Sequence, residues 1–343
     1  MFSKSRVLSI IVLLTLLVTG CGAPAATPDT ATEEAASASS AFPVTLDHKY
    51  GSTTITEKPE RIVLVGLTEQ DALLALSVVP VATREWYGGR PGAIFEWAQD
   101  ELGDAEPPVV LSSTELNFEQ IAALQPDVIV GLYSGLTTEE YDTLAKIAPT
   151  VAQPGEYVDY GIPWQELTRK IGLIVGKSAE AEKLVVDVEA QFATVRDQHP
   201  EFNGATGVVA STWGFPDTYY AYHSQDPRNR FLTSLGFVIP AEVDEMAQDT
   251  FGASISRERL DIVDADALVW ITFSDEENET IKNDALYQNL RARQEGRDIF
   301  ISESDPLYDA LNFNTVLSLP FTLENLVPQL AAAVDGDPAT NTE

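Results

Sequence analysis

LNFEQIAALQPDVIVG (Leu116–Gly131) holds a short amphipathic helix and the buried strand it feeds, and SISRERLDIVDADALVW (Ser254–Trp270) repeats the arrangement in the second half of the chain. Aligned without gaps, Glu119 falls on Glu258, Ile121 on Leu260, Leu124 on Val263, Asp127 on Asp266, and Ile129-Val130 on Leu268-Val269. Apolar residues at helical spacing, then a short continuous apolar run, are the pattern of a helix entering a strand buried on both faces. Any such connection explains the apolar positions and the Asp that opens each strand. It does not explain a Glu at the same place in each helix start, although the helix dipole alone favours a carboxylate there by about 0.3–1 kcal/mol.

The same alternation extends outward from both copies. RIVLVG (61–66) is a strand followed by the helical TEQDALLAL, with Thr68 as its N-cap. VVPVATREWYGGRP gives a second strand and a loop, and TTEEYDTLAKI another helix. After a sustained helical stretch from Trp164 to Gln198, TGVVAST, DALVWITF and DIFIS read as strands, with RFLTSLGF, SRERLDIVDA and YQNLRARQ as helices. A final helix is expected over 322–334, and FPVTLDHKYGSTTIT (42–56) reads as a β-hairpin. Strands alternating with helices predict an α/β protein with mostly parallel sheets. The stretch Ser178–Gln198, as one helix, would run about 30 Å at 1.5 Å per residue, enough to act as a stiff spine.

At 343 residues and 44% hydrophobic the chain is long enough for two cores. Lys4 and Arg6 precede the apolar run VLSIIVLLTLLV and Thr19-Gly20-Cys21, a secretory signal too short to span a membrane. Cys21 is the only cysteine, so export brings no intramolecular disulfide. VTGC resembles the bacterial lipobox, which makes Cys21 a lipidated first residue. GAPAATPDTATEEAASASSA behind it has the composition of a disordered tether. The formal charge is −32, and loss of Lys4 and Arg6 on cleavage would deepen it, which excludes binding to a phosphate backbone.

From about Phe42 to Val334 the chain resembles the class III periplasmic-type binding proteins that deliver ferric siderophores, haem or vitamin B12 to ABC importers. The resemblance rests on KPERIVLVG, LNFEQIAALQPDVIVG, YDTLAKIAPTVA, the long helix, SISRERLDIVDADALVW and LYQNLRARQEGRDIFIS, in this order behind a lipobox. It implies two Rossmann-like α/β lobes with mostly parallel sheets, joined by one long helix, with the ligand cleft between them. The corresponding boundaries are a signal over 1–20, Cys21 and tether over 21–41, an N-terminal lobe over 42–177, an interlobe helix over 178–199, a C-terminal lobe over 200–335 and a tail over 336–343. The resemblance also implies that Glu119 and Glu258, one per lobe, dock to arginines on the two permease subunits. The chain would be a monomer held to the outer face of the cytoplasmic membrane by lipid on Cys21.

A ferric siderophore needs aromatic walls with a few cationic or hydrogen-bonding groups. Two stretches after predicted strands carry them. TREWYGGRP offers Arg84, Trp86, Tyr87 and Arg90; STWGFPDTYYAYHSQDPRNR, read as a loop, offers Trp213, Tyr219, Tyr220, Tyr222, His223, Arg228 and Arg230. Tyr133 and Phe273 end the repeated strands, and Asn312 and Phe313 lie in the YDALNFNT loop. Core packing competes with ligand contact for each aromatic, and Arg228 has an alternative role in orienting the helix that follows. His48, His199 and His223 are too dispersed to hold a bare metal, so iron would arrive as an Fe(III)-siderophore, with no cofactor of the protein's own. The arginine-bearing stretches point to an anionic chelate. A haem or corrinoid receptor of the same architecture is the nearest alternative. A secreted lipoprotein enzyme is a distant one, since the chain has no G-x-S-x-G, H-E-x-x-H or P-loop motif.

Overall fold

The computed structural model describes residues 41–212, 218–248 and 250–340. The expected signal, Cys21, most of the tether and Trp213 lie outside them.

The hairpin forms from β1 (Val44–His48) and β2 (Gly51–Ile55), antiparallel with Val44 opposite Ile55. The first α/β unit follows as β3 (Ile62–Leu64), α1 (Glu69–Ala75), β4 (Ala82–Arg84), α2 (Gln99–Leu102), β5 (Val109–Leu111), α3 (Phe118–Ala123), β6 (Val128–Val130), α4 (Thr138–Leu144) and β7 (Thr150–Val151). Its sheet has the order β5-β4-β3-β6-β7 and is parallel throughout. Two helices, α5 (Trp164–Ile174) and α6 (Ser178–Gln198), lead to the second unit. That unit contains β8 (Gly207–Ser211), β9 (Thr218–Tyr222), α7 (Pro227–Ser234), α8 (Ala241–Ala247), β10 (Gly252–Ser256), β11 (Ala267–Thr272), α9 (Asp275–Lys282), α10 (Arg291–Gln294), β12 (Asp298–Ser302), α11 (Pro306–Phe313) and α12 (Ser318–Asp335). The order of its sheet is β10-β9-β8-β11-β12. Here β8, β11 and β12 are parallel, whereas β9 runs antiparallel to both neighbours.

Three readings are corrected. Residues 218–222 are strand rather than loop: TYYAY is rich in β-formers and inserts between β8 and β10. The segment 306–313, also read as loop, is helix α11, capped by Asp305, whose carboxylate accepts from the Leu307 N–H at 2.8 Å. SRERLDIVDA forms a 3-10 helix over Arg257–Val263, broken at Arg259, where the first copy of the repeat makes the α-helix α3.

The repeated Asp has a structural explanation in both units. Asp127 Oδ2 accepts from the N–H groups of Glu60 and Arg61 at 2.9 Å each, just ahead of β3. Asp266 Oδ2 accepts from the Thr206 N–H at 2.9 Å, just ahead of β8. Each carboxylate thus satisfies backbone donors where the neighbouring strand begins, and fixes the pairing of β3 with β6 and of β8 with β11.

In each sheet the strand order reverses beside its first strand, between β3 and β6 and between β8 and β11. Ligands of open α/β sheets bind outside the carboxyl ends of the strands at such a switch point. One apolar cluster runs through both units, from Leu64, Leu73 and Tyr133 to Phe231, Leu311 and Leu319, and helix α6 contributes Val188 and Phe192 to it.

Candidate functional site

The segments that follow β3 and β6 are held by buried polar groups of α1. Glu69 is fully buried, and its carboxylate accepts from the N–H groups of Tyr133 at 2.7 Å and Thr68 at 3.1 Å. Burial pushes its carboxyl up to about 7, against the pull of those hydrogen bonds. Position 66 must be glycine for the same reason, because a Cβ there would lie 1.8 Å from Glu69 Oε1. Asp71, also fully buried, accepts from Trp97 Nε1 at 2.8 Å and from the Thr315 hydroxyl just ahead of the last helix, while its Oδ1 has no partner. Burial pushes its carboxyl up to about 6.

Thr315 belongs to the C-terminal half, so the Asp71 bond crosses the seam between the lobes. Two further ties cross it. Arg90 pairs with buried Asp309 of α11 at 2.6 Å, meets Glu96 at 3.3 Å and lies 4.1 Å over the ring of Phe95. Arg230 of α7 donates to the Gly161 carbonyl at 2.8 Å. Burial also pushes the Asp309 carboxyl up to about 6, although Arg90 opposes the rise. Aromatic rings fill the seam between these ties: Trp86 stands 5.5 Å from Phe313 and 6.1 Å from Tyr133, and Tyr87 6.2 Å from both Tyr308 and Phe313.

Beside this aromatic layer lies a cavity of about 200 Å³. The N-terminal lobe gives it Trp86 and Tyr87, from the loop after β4. The C-terminal lobe supplies Ser211, Tyr222, Arg228, Ile271 and Phe273, with Glu303, Tyr308 and Asn312 completing the lining. Arg228 is held from three sides. Asp226 takes its Nε and Nη2 hydrogens at 2.8 and 2.7 Å, Asn312 Oδ1 accepts from Nη1 at 2.7 Å, and the guanidinium stacks 3.8 Å over Tyr222. Asp226 is also the N-cap of α7, accepting from the Arg228 N–H at 3.0 Å, so capping and cavity lining are combined at one residue pair. The Tyr87 hydroxyl is buried without a hydrogen-bond partner. Glu303, the residue after β12, is exposed and lies at the mouth.

Of the residues singled out from sequence, Trp86, Tyr87, Tyr222, Arg228, Phe273 and Asn312 come together around this cavity. The others are placed elsewhere. Arg84 donates to the carbonyls of Val65 and Ser113, and Arg90 is spent on the interlobe pair. Tyr133 and Phe313 pack in the seam. Tyr219 bonds Asp284 at 3.0 Å and packs at a tilt against Trp270, lining a separate 930 Å³ hollow beside α9 that ends at Thr212 and Thr218, the borders of the undescribed 213–217. His223 faces Asp244 at 3.6 Å in another groove, which it shares with Phe251 and Val158. Tyr308 and Glu303 were not anticipated; the four-residue spacing of Tyr308 and Asn312 was the signal for the former once 306–313 is known as helix.

Glu119, behind the N-cap Asn117, and Glu258, in the first turn of the 3-10 helix, are both exposed, and neither enters an ion pair among the described residues. Also among the described residues, no group of three or more His, Cys, Asp or Glu side chains is placed to hold a metal ion.

The arrangement of the two α/β units is shared with known proteins. A model of the family described as periplasmic binding protein matches residues 62–304. The chain belongs to the periplasmic binding protein family. Among its relatives is the probable siderophore-binding lipoprotein YfiY of Bacillus subtilis, 28% identical over 266 residues, which span 74% of this chain and 78% of YfiY. Two solved structures share the fold of this binding protein. One is a periplasmic solute binding protein from Mycobacterium smegmatis, 36% identical with a TM-score of 0.75, covering 85% of this chain and 98% of that one. The other is PiaA of Streptococcus pneumoniae in complex with ferrichrome, 28% identical with a TM-score of 0.76, covering 86% and 99%.

Proposed function

We propose that this binding protein captures a ferric siderophore in the interlobe cavity and delivers it to an ABC importer for iron uptake. The observation that carries the reading is the cavity itself: aromatic walls from both lobes around a single buried, pre-oriented guanidinium, at the strand ends where open α/β sheets bind ligands. Relatives named for siderophore binding support the same reading. Lining residues Trp86, Tyr87, Tyr222, Arg228, Phe273 and Asn312 are assigned to ligand contact, joined by Tyr308 and Glu303. Arg84, Arg90, Tyr133, Tyr219, His223 and Phe313 are assigned to support, while Trp213 keeps only its sequence-based assignment to the ligand.

Lipid on Cys21 holds the protein to the outer face of the membrane, and the tether frees the lobes. Glu119 and Glu258 dock to the permease; exposed ion pairs are individually worth about 0–1 kcal/mol, but two set apart fix an orientation. The protein is a carrier, with no substrate turned over.

The test is tryptophan fluorescence of the full chain in mild detergent, since Trp86 lines the cavity. Saturable submicromolar quenching by a ferric chelate is the expected result. No response to any ferric chelate, with a clear response to haem or cobalamin, would reassign the cavity.

A further inference from the structure

Of the arginines that made an anionic ligand attractive from sequence, Arg90 and Arg228 are matched by carboxylates, while Arg84 and Arg230 donate to neutral oxygens and stand outside the cavity lining. Among the described lining residues only Arg228 and Glu303 carry charge. Arg228 is matched by Asp226 through two short bonds, which leaves Glu303. Glu303 has no ion-pair partner among the described residues, and its field reaches both Tyr308 and Asp309. Behind the lining, Arg90 is matched by Asp309 with Glu96 in addition. Arg84 does not line the cavity and donates to two backbone carbonyls.

The acidity continues beyond the mouth. On the far side of Phe273, which borders both spaces, the hollow along α9 is lined by Glu276, Glu277, Glu279 and Asp284, and Arg257 there is paired with Asp284 at 2.6 Å. The whole chain carries −32, so its long-range field repels anions and draws in cations.

We infer that the cavity selects ferric chelates of zero or positive charge, the trihydroxamate class, with Glu303 as the residue that favours a cationic group on the chelator. The inference rests on the siderophore reading and narrows it. Three monoanionic hydroxamates cancel the charge of Fe(III), giving a neutral core that aromatic walls accommodate without a counter-ion. Three dianionic catecholates leave a trianionic complex, and citrate leaves free carboxylates. Either would bring uncompensated negative charge beside Glu303, the one lining charge left unmatched among the described residues, where like charges juxtaposed at an interface reject a partner. A chelator with a terminal ammonium directed out of the mouth would meet Glu303.

The experiment titrates the full chain in mild detergent with four ferric chelates. They are a linear trihydroxamate bearing a terminal ammonium, the same chelator with that amine acetylated, a tris-catecholate and a citrate complex. Both trihydroxamates are expected to bind at least about tenfold more tightly than either anionic complex. In Glu303→Gln the preference for the ammonium-bearing chelate over its acetylated twin is expected to fall about three- to fivefold, the scale of an exposed ion pair. Glu303 is exposed and its removal leaves the fold untouched, which circular dichroism checks. Tighter binding of the tris-catecholate or citrate complex would overturn this inference and leave the siderophore reading standing. So would an ammonium preference unchanged by Glu303→Gln, as far as the role of Glu303 is concerned. Failure of all four chelates would instead sink the siderophore reading itself.

Discussion

Replacing Asp71 by Asn should make the protein more stable at neutral pH, and only there. Asp71 is fully buried, one of its oxygens has no partner, and burial raises its carboxyl from 3.8 to about 6. A raised carboxyl binds protons more readily folded than unfolded. Its ionised form therefore costs stability above about pH 6; the cost shrinks as pH falls through 6 and is gone below 3.8, where both states are protonated. At 1.36 kcal/mol per pH unit, the cost at pH 7.5 is about 3 kcal/mol. An Asn retains an oxygen for Trp97 Nε1 but turns its amide hydrogens toward the unpartnered site, returning about 1–2 kcal/mol. The net gain is about 1–2 kcal/mol at pH 7.5, or on the order of 2–6 °C in Tm for a chain of this size. Urea melts of both proteins between pH 4 and 8 read it, and the general effect of titrating an acidic surface cancels in the difference. An Asn variant no more stable at pH 7.5, or a difference flat across pH, would show that Asp71 is not held ionised at the seam.

The Arg228–Asp226 pair sits 11% and 1% exposed at its side chains, so Arg228→Met should cost about 3–5 kcal/mol by leaving a buried carboxylate unpaired. Adding Asp226→Asn, which keeps an N-cap on α7, should restore most of that; denaturant midpoints decide, and a single variant costing under about 1 kcal/mol would contradict the placement. For the exposed pair, Glu119→Ala with Glu258→Ala should preserve chelate affinity while uptake by whole cells drops. Intact uptake in that double variant would remove the docking role.

The fold was legible wherever local pattern determines it. The paired stretches around Glu119 and Glu258 disclosed two units because each buries a strand on both faces, which leaves a continuous apolar run. The 178–198 helix was visible from its spacing alone. What escaped depended on partners distant in sequence. TYYAY looked like a decorated loop until β8 and β10 flanked it. The YDALNFNT stretch is the exception, since its start signal, Asp305 before Pro306, is local, and Tyr308 was lost with it. Arg84 ends β4 and Arg90 lies in the loop that follows, yet nothing near them in sequence announces that Asp309, far along the chain, absorbs the charge of Arg90. Residue type predicts what a side chain can bind, whereas its availability is settled by the neighbours that folding brings.

The seam carries a last consequence. Leu64, Leu73 and Tyr133 share one apolar cluster with Phe231, Leu311 and Leu319, and buried polar ties cross beside it. Parting the lobes would mean fracturing a core, not turning a hinge. On the proposed reading an empty carrier and a loaded one would offer an importer almost the same silhouette, and the news of cargo would be read at the cavity, where Phe273 and Glu303 stand.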